Sequence, residues 1–238
     1  MKRYSVITEK NPREIVLLRG SGCRWRRCRF CDYHLDCSPD EEANFELNRK
    51  VLEHVKGAQG KLEVINSGSF VDLDGRTMDR IGEVCRDRHI REIHFECHWM
   101  HRGEIPALRE RFRRYGTAVK VKTGVETFDA LFRECYLDKG INEENPRKIA
   151  EPFDEVCLLQ GIPGQTEESM VRDIETGLEL FERVCVNVMT ENSSRIAPDP
   201  GVIAIFREKV LPRYADNERV DILMENTDFG VGGTTDEQ

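Results

Sequence analysis

The sequence predicts an α/β fold, a partial (β/α)6 barrel in which parallel strands alternate with helices. Short apolar runs alternate about six times with longer charged stretches of helical period along the 238 residues. Such alternation implies parallel strands with right-handed crossovers and helices packed outside. Eight repeats would close a full barrel of about 250 residues, so six repeats predict an open one. We expect one domain over residues 1–229 and a flexible tail over 230–238, which is rich in glycine, threonine and acidic residues.

The elements follow in order from the apolar runs and their flanking turn residues. Strands are predicted at 14–18, 62–65, 92–97, 118–122, 155–159 and 184–189. Helices are predicted at 41–55, 78–88, 104–115, 128–137, 168–182 and 202–211. Polar residues and glycines collect where the predicted strands end, and parallel α/β folds bind ligands at that end. We therefore expect the functional site at the carboxyl ends of the strands.

Charge and composition argue against several classes of function. The formal net charge of −8 argues against a broad electrostatic grip on nucleic acid. No apolar run has the length of a membrane span or the pattern of a signal peptide, so we expect a cytoplasmic protein. Nine cysteines are an odd number for a disulfide framework, and clustered cysteines in such a chain more often bind metal.

Three cysteines, Cys23, Cys28 and Cys31, follow the first predicted strand with the spacing C-x4-C-x2-C. Three thiolates can hold three irons of a cubane cluster and leave the fourth iron open for chemistry. A structural zinc site would need a fourth ligand, which Cys37 could supply. Plant-type ferredoxins share the spacing, but they do not need strand–helix alternation behind it. A non-enzymatic iron–sulfur or zinc-binding module remains an alternative.

On these residues the chain resembles the radical S-adenosylmethionine (SAM) enzymes. Their signature places an aromatic residue before the third cysteine, here Phe30, in a loop after strand one of a partial barrel. The usual first spacing is three residues, and here it is four. The resemblance implies a [4Fe-4S] cluster on Cys23, Cys28 and Cys31, with Cys37 not a ligand, and SAM at the open iron. It also implies reductive cleavage of SAM to a 5′-deoxyadenosyl radical, which needs an electron donor such as flavodoxin or ferredoxin.

Further short motifs occur in the order typical of that family. The stretch 66–69 ends strand two, where the family binds the methionine amino group, and 124–127 follows strand four. The stretches 139–140 and 161–166 resemble the coproporphyrinogen-dehydrogenase and elongator-subunit subgroup. Each could instead be an ordinary turn, and Glu126 a solvated residue near a helix start. The resemblance implies SAM contacts from Phe30, Tyr33, Asn66, Ser67, Gly68, Ser69, Glu96, Glu126, Gly161 and Asn187.

The substrate is expected to be a small molecule, because no appended nucleic-acid or transferase domain is visible. The best candidates for substrate contacts are Asp72, Asp74, His94, His98, Trp99 and His101. The overall pattern is similar to the enzymes of bacterial queuosine salvage, which implies queuine as substrate and 7-aminomethyl-7-deazaguanine as product. A tRNA- or protein-modifying radical enzyme of the elongator type is the alternative. The remaining cysteines, expected to be core residues, are Cys85, Cys97, Cys135, Cys157 and Cys185.

Overall fold

The computed structural model describes residues 2–224, which form two compact units. The first unit contains the residues up to 26 together with 33–122, and the second contains 27–32 together with the residues from 123 onward. The tail predicted at 230–238 lies outside the described residues. Within residues 2–224, no helix is both long enough and apolar enough to span a membrane.

The first unit is a strand–helix repeat built on a mostly parallel sheet. Its strands are β1 (Tyr4–Ile7), β2 (Arg13–Leu18), β3 (Lys61–Asn66), β4 (Glu92–Glu96) and the first part of β5 (Ala118–Glu126). They pair in that order; β1 is antiparallel to β2, and the other pairs are parallel. The helices are α1 (Glu41–Leu52), α2 (Gly75–Asp87) and α3 (Ile105–Arg113), with 3-10 turns at Tyr33–Leu35, Phe70–Asp72 and Trp99–Glu104.

The two faces of this sheet differ in chemistry because successive side chains point to opposite sides. One face is apolar and includes Phe95, whose ring lies 5.1 Å from that of Phe112 in α3. The other face carries Glu63, which forms buried ion pairs with Arg13 and Lys122. Burial alone would raise the pKa of Glu63, but Lys122 and then Arg13 outweigh it and hold the pKa below its ordinary range. The Glu63 carboxylate is therefore ionised, and both of its oxygens are used in ion pairs within the sheet.

The second unit continues the same repeat. Its strands are the rest of β5, then β6 (Glu155–Gln160), β7 (Arg183–Val188) and β8 (Val220–Leu223), with β6, β7 and β8 parallel. Its helices are α4 (Pro146–Ala150), α5 (Glu167–Leu180), α6 (Pro200–Ile205) and α7 (Leu211–Tyr214), with π-helical turns at Phe132–Tyr136 and Phe206–Val210. A Cβ atom at Gly177 would lie 2.8 Å from the Val184 side chain. Glycine at that position therefore lets α5 pack closely on β7.

All six predicted strands are present as β2 to β7, and the α/β class is confirmed. Strand β5 runs to Glu126, four residues beyond its predicted end. Strands β1 and β8 were not predicted, nor was the short helix α4. The region predicted as a helix at 128–137 contains the π-helical turn Phe132–Tyr136.

Candidate functional site

The loop that follows β2 carries Cys23 and packs against the loop that follows β3. The backbone N–H of Ser21 donates to the carbonyl of Asp72 at 2.9 Å. A Cβ atom at Gly68 would lie 3.0 Å from the Cα of Cys23 and 2.4 Å from the Asp72 carboxylate. Only glycine allows the two loops to approach this closely. Part of the predicted SAM-binding stretch therefore lies directly beside the first cysteine.

Asn66, Ser67 and Ser69 in the same stretch are all buried. The Ser67 hydroxyl donates to the carbonyl of Asp36 at 2.6 Å, and the Asn66 amide donates to the carbonyl of Ser69 at 3.0 Å. The Asn66 side-chain oxygen is buried and has no hydrogen-bond partner in the part of the chain that the structure describes. Because buried polar atoms normally have partners, this oxygen is an acceptor suited to a ligand donor.

Asp72 and His101 present two further buried atoms without hydrogen-bond partners among the described residues, the Asp72 Oδ1 and the His101 Nε2. The other carboxylate oxygen of Asp72 accepts from the Ser69 N–H at 2.8 Å, and the Arg24 guanidinium lies 3.6 Å from Oδ1. Burial raises the pKa of Asp72, although the Ser69 N–H and His101 partly oppose this. Burial likewise lowers the pKa of His101. The Asp72 Oδ1 and the His101 Nε2 are therefore polar atoms that could bind a ligand.

His98, which follows β4, is hydrogen-bonded to the stretch 66–69. Its N–H donates to the Ser69 hydroxyl at 2.9 Å, and its Nδ1 accepts from the Met100 N–H at 3.2 Å. The Trp25 ring stacks on the His98 ring with centroids 5.8 Å apart. Sequence reasoning missed Trp25, which lies between two cysteines, because 73 residues separate it from the histidine that it contacts.

Three other predicted substrate contacts have structural partners of their own. Asp74 caps α2, and its two carboxylate oxygens accept from the N–H and the hydroxyl of Thr77 at 2.8 and 2.6 Å. His94 is buried in β4, 3.2 Å from Glu92. Trp99 is buried beneath a guanidinium, that of Arg102, which lies 4.0 Å from its ring centroid. Their roles as substrate contacts stay predictions, as do the SAM contacts of the half-buried Tyr33 and Glu96.

In the second unit, Cys28 and Cys31 lie against an apolar cluster around Phe30. Phe30 is 2% exposed, and its ring packs in the core of this unit. The other buried members of the cluster are Leu137, Leu159, Ile162, Met189 and Ile196. The carbonyl of Phe30 accepts from the Asn192 amide at 3.0 Å. The aromatic residue before the third cysteine thus anchors the cysteine segment to the fold.

Hydrogen bonds fasten the segment 27–32 from two sides. On one side the Arg29 N–H donates to the carbonyl of Leu137 at 2.9 Å, and Arg27 pairs with Asp138 at 3.2 Å. On the other side the N–H and hydroxyl of Ser193 donate to Asp32 at 3.1 and 3.0 Å. The backbone around two cysteines is therefore held in place by the polypeptide itself.

Glu126 and Lys139 form a buried ion pair next to this segment. The Lys139 Nζ lies 2.7 Å from the Glu126 Oε1 and 5.6 Å from the centroid of the Phe30 ring. Glu126 has a φ of 69°, which is uncommon for a residue other than glycine. Burial disfavours the charge of Lys139, but Glu126 and then Cys28 outweigh it and raise the pKa of Lys139. The alternative that Glu126 is a solvated residue is wrong, because Glu126 is only 6% exposed.

The turn 161–164 has a structural explanation. Gly161 has a φ of 89°, and a Cβ atom there would lie 2.7 Å from the Ile203 side chain. The Gln165 side chain fastens the turn, because it accepts from the Ile162 N–H and donates to the carbonyl of Leu159. Asn187 is buried in β7, opposite Leu159 in β6. The SAM contacts predicted for Gly161 and Asn187 stay predictions.

The thiols fall into distinct environments. Cys23, Cys28 and Cys31 are half-buried, whereas Cys85, Cys97, Cys157 and Cys185 are buried, as predicted. Burial raises the pKa of Cys85 and of Cys97 to about 12, so these two thiols stay protonated and are poor ligands. The prediction for Cys135 is wrong, because this residue lies exposed on a π-helical turn. The Cys37 thiol donates to the carbonyl of His34 at 3.0 Å.

The half-buried cysteines and a nearby cation have the chemistry that an iron–sulfur cluster requires. Among residues 2–224, no three His, Cys, Asp or Glu side chains are grouped to hold one metal ion. In a cubane cluster each thiolate binds a different iron, so the sulfurs need not converge on one point. The accessible thiols and the neighbouring cation Lys139 fit such a group, since a cation favours thiolates.

Comparison by sequence gives little information about this chain. No protein-family model matches it. The curated endoribonuclease YbeY of Thermosipho melanesiensis is 24% identical over 88 residues, or 37% of this chain. The chain spans 64% of the length of that relative, and so partial a match shows no family.

Comparison with solved structures is much more informative. A queuine lyase from Clostridium spiroforme, solved bound to SAM and queuine, is 40% identical to this chain, with a TM-score of 0.92. The match covers 98% of this chain and 100% of that one. A methylornithine synthase, at 13% identity and a TM-score of 0.53, matches over 92% of this chain and 74% of its own and shares the fold alone. These matches confirm the predicted fold class, a partial (β/α)6 barrel.

Proposed function

Because this chain belongs to the radical SAM enzymes and, among them, to the queuine lyases, we propose that it cleaves queuine to 7-aminomethyl-7-deazaguanine. The observation that carries the proposal is the full-length likeness to a queuine lyase solved with SAM and queuine bound, at 40% identity. The cytoplasm is the expected location, and flavodoxin or ferredoxin is the expected class of electron donor.

Cys23, Cys28 and Cys31 would hold three irons of a [4Fe-4S] cluster and leave one iron for the amino and carboxylate groups of SAM. When bound and reduced, the cluster supplies the electron that cleaves SAM to methionine and the 5′-deoxyadenosyl radical, which takes a hydrogen atom from the substrate. The chain positions two of the thiolates through the fastened segment 27–32. In the first unit, Gly68 leaves the Cys23 backbone room for close packing.

The stretch 66–69 is the proposed site for the methionine end of SAM. The buried Asn66 oxygen lacks a hydrogen-bond partner among the described residues, so it can accept from the SAM ammonium group. Glu96 is the proposed ribose contact, as its resemblance to an acidic residue of the radical SAM enzymes implies, and it ends β4 half-buried. In the second unit, Glu126 ends β5 and forms an ion pair with Lys139.

The substrate contacts are proposed at Asp72, His98 and His101. Queuine carries amine and amide donors, and the Asp72 Oδ1 is a buried acceptor without a hydrogen-bond partner in the described range. A buried group of this kind discriminates strongly, since a ligand without the donor would leave it unpaired. The stacked rings of Trp25 and His98 offer a flat apolar surface for a purine-like base.

The test is anaerobic turnover of queuine with SAM and a chemical reductant, followed by mass spectrometry. We expect 7-aminomethyl-7-deazaguanine and 5′-deoxyadenosine from the wild type, and about four irons per chain. Cys23→Ala, Cys28→Ala and Cys31→Ala should each abolish both products, whereas the matched control Cys37→Ala should retain them. Cleavage of SAM with queuine left intact would overturn the substrate, and SAM cleavage by all three ligand variants would overturn the cluster assignment.

A further inference from the structure

The buried ion pair of Glu126 and Lys139 lies beside two of the proposed cluster ligands. The ammonium of Lys139 is near the Phe30 ring, and Phe30 stands between Cys28 and Cys31 in the sequence. A thiolate at Cys28 and, less strongly, one at Cys31 would favour the charged form of Lys139 and so raise its pKa. The pair is itself buried, and it therefore places one positive and one negative charge beside the cysteine segment 27–32.

The geometry holds both charges in fixed positions. A Cβ atom at Gly124 would lie 2.5 Å from the Glu126 carboxylate and 2.9 Å from the Lys139 ammonium, so the backbone itself borders the pair. The Lys139 N–H donates to the carbonyl of Arg133 at 3.2 Å. Arg133 is fully buried, and its guanidinium donates to the carbonyls of Thr127 and Glu143. Neither charge can relax easily away from the cysteine segment.

Fixed charges near a redox centre change how readily it accepts an electron. Reduction adds one negative charge to the cluster, so a nearby cation stabilises the reduced state and a nearby carboxylate destabilises it. Both effects are larger in a buried place than in water. Lys139 and Glu126 should therefore act on the cluster in opposite directions.

We propose that Lys139 and Glu126 are positioning residues that together set the reduction potential of the cluster, Lys139 raising it and Glu126 lowering it. This inference rests on the proposed function, because it requires a cluster on Cys28 and Cys31. Neither residue needs to contact the substrate for this role. The reaction concerned is the entry of one electron from an external reductant into the oxidised cluster, with no bond made or broken.

The experiment is a redox titration of the reconstituted protein without SAM, followed by electron paramagnetic resonance. Lys139→Met should lower the midpoint potential, and Glu126→Gln should raise it. At a fixed applied potential we expect the ratio of reduced to oxidised cluster to change about tenfold in each case, which corresponds to about 59 mV for one electron. The double variant should return towards the wild-type potential because both charges are removed.

One control variant and several further outcomes decide how the result is interpreted. Lys148→Met removes an exposed cation from the same unit and should leave the potential unchanged. Shifts of the same sign in both single variants, or no shift with the iron content intact, would overturn the inference, as would weaker SAM binding at an unchanged potential. If Lys139→Met loses its cluster, the sign of the Glu126→Gln shift decides. A wild-type protein that assembles no cluster would instead defeat the proposed function.

Discussion

At the scale of single residues, the sequence can predict a site whose residues lie close together along the chain. It cannot predict contacts between residues that only the packing of the fold brings together. The three half-buried cysteines and Phe30 lie within one short stretch, so the sequence could indicate a shared metal site there, and the strand–helix pattern behind it favoured a radical SAM cluster over a ferredoxin. Lys139 was noted only as part of a motif, because its partner Glu126 is 13 residues away and the ion pair depends on the path of the π-helical turn. The contact of Trp25 with His98 has the same explanation at longer range.

Asp72 and Asp74 provide a residue-scale test. Of these two residues, Asp72 has a carboxylate oxygen that lacks a hydrogen-bond partner in residues 2–224, whereas both oxygens of Asp74 accept from Thr77. Asp72→Asn should raise the KM for queuine roughly 10- to 100-fold, because a buried hydrogen bond to a charged group contributes about 1.5–3 kcal/mol. Iron content and SAM cleavage should be retained. Steady-state kinetics with queuine measures the effect.

The matched control is Asp74→Ala. It removes the cap of α2 and should lower the free energy of unfolding by about 1 kcal/mol, with KM unchanged. If Asp72→Asn left KM as it is in the wild type while Asp74→Ala raised it, the assignment of the substrate contact would have to be exchanged between the two residues.

At the scale of elements, long buried strands were predictable and short edge strands were not. Strands β2 and β6 are buried along their whole length, and such apolar runs are the strongest strand signal. Strands β1 and β8 have four residues each and are mostly only half-buried, so pairing with a neighbour rather than their own pattern makes them strands. A π-helical turn keeps nearly helical periodicity, so the sequence around Phe132–Tyr136 looks like an ordinary helix.

Helix α5 carries Asp173, whose buried carboxylate accepts from the Phe128 N–H at 2.8 Å and joins the helix to the end of β5. Burial raises the pKa of Asp173 to about 6, and the hydrogen bonds from Phe128 and Thr127 only partly oppose it. Between about pH 4 and pH 6 the native state therefore binds more protons than the unfolded state. Stability contributed by this group is present below that window and is lost as the pH rises through it.

Asp173→Asn should remove this pH dependence. The wild type should lose about 2 kcal/mol more than the variant between pH 4 and pH 6.5, since one pKa unit corresponds to 1.36 kcal/mol. Urea unfolding of the metal-free protein under reducing conditions at several pH values measures the difference. The exposed Asp216→Asn makes the same change of charge and should follow the wild type. If the free energies of unfolding of the wild type and Asp173→Asn changed with pH in parallel, the pKa of Asp173 would not be raised in the native state, and the prediction would be wrong.

At the scale of the whole molecule, alternation and charge were the informative features. The sixfold alternation of strands and helices predicted the fold class, because parallel strands have few ways to connect. Net charge predicted the class of partner: 44 acidic residues against 36 basic ones leave −8, which repels a polyanion. Neither property names a substrate, since one fold supports many reactions. The substrate proposal therefore depends on the full-length likeness to a queuine lyase and on the polar atoms around Asp72.

The charge balance leads to a prediction that separates the free base from tRNA as the substrate. The protein should cleave free queuine and leave queuosine in tRNA unchanged, and excess tRNA should not slow the reaction even at low salt. A protein that grips nucleic acid through phosphate contacts would lose affinity steeply as salt increases, so turnover with competing tRNA at two salt concentrations is the measurement. Strong inhibition by tRNA at low salt that disappears at high salt would favour the tRNA-modifying alternative, because only a basic docking surface produces that dependence.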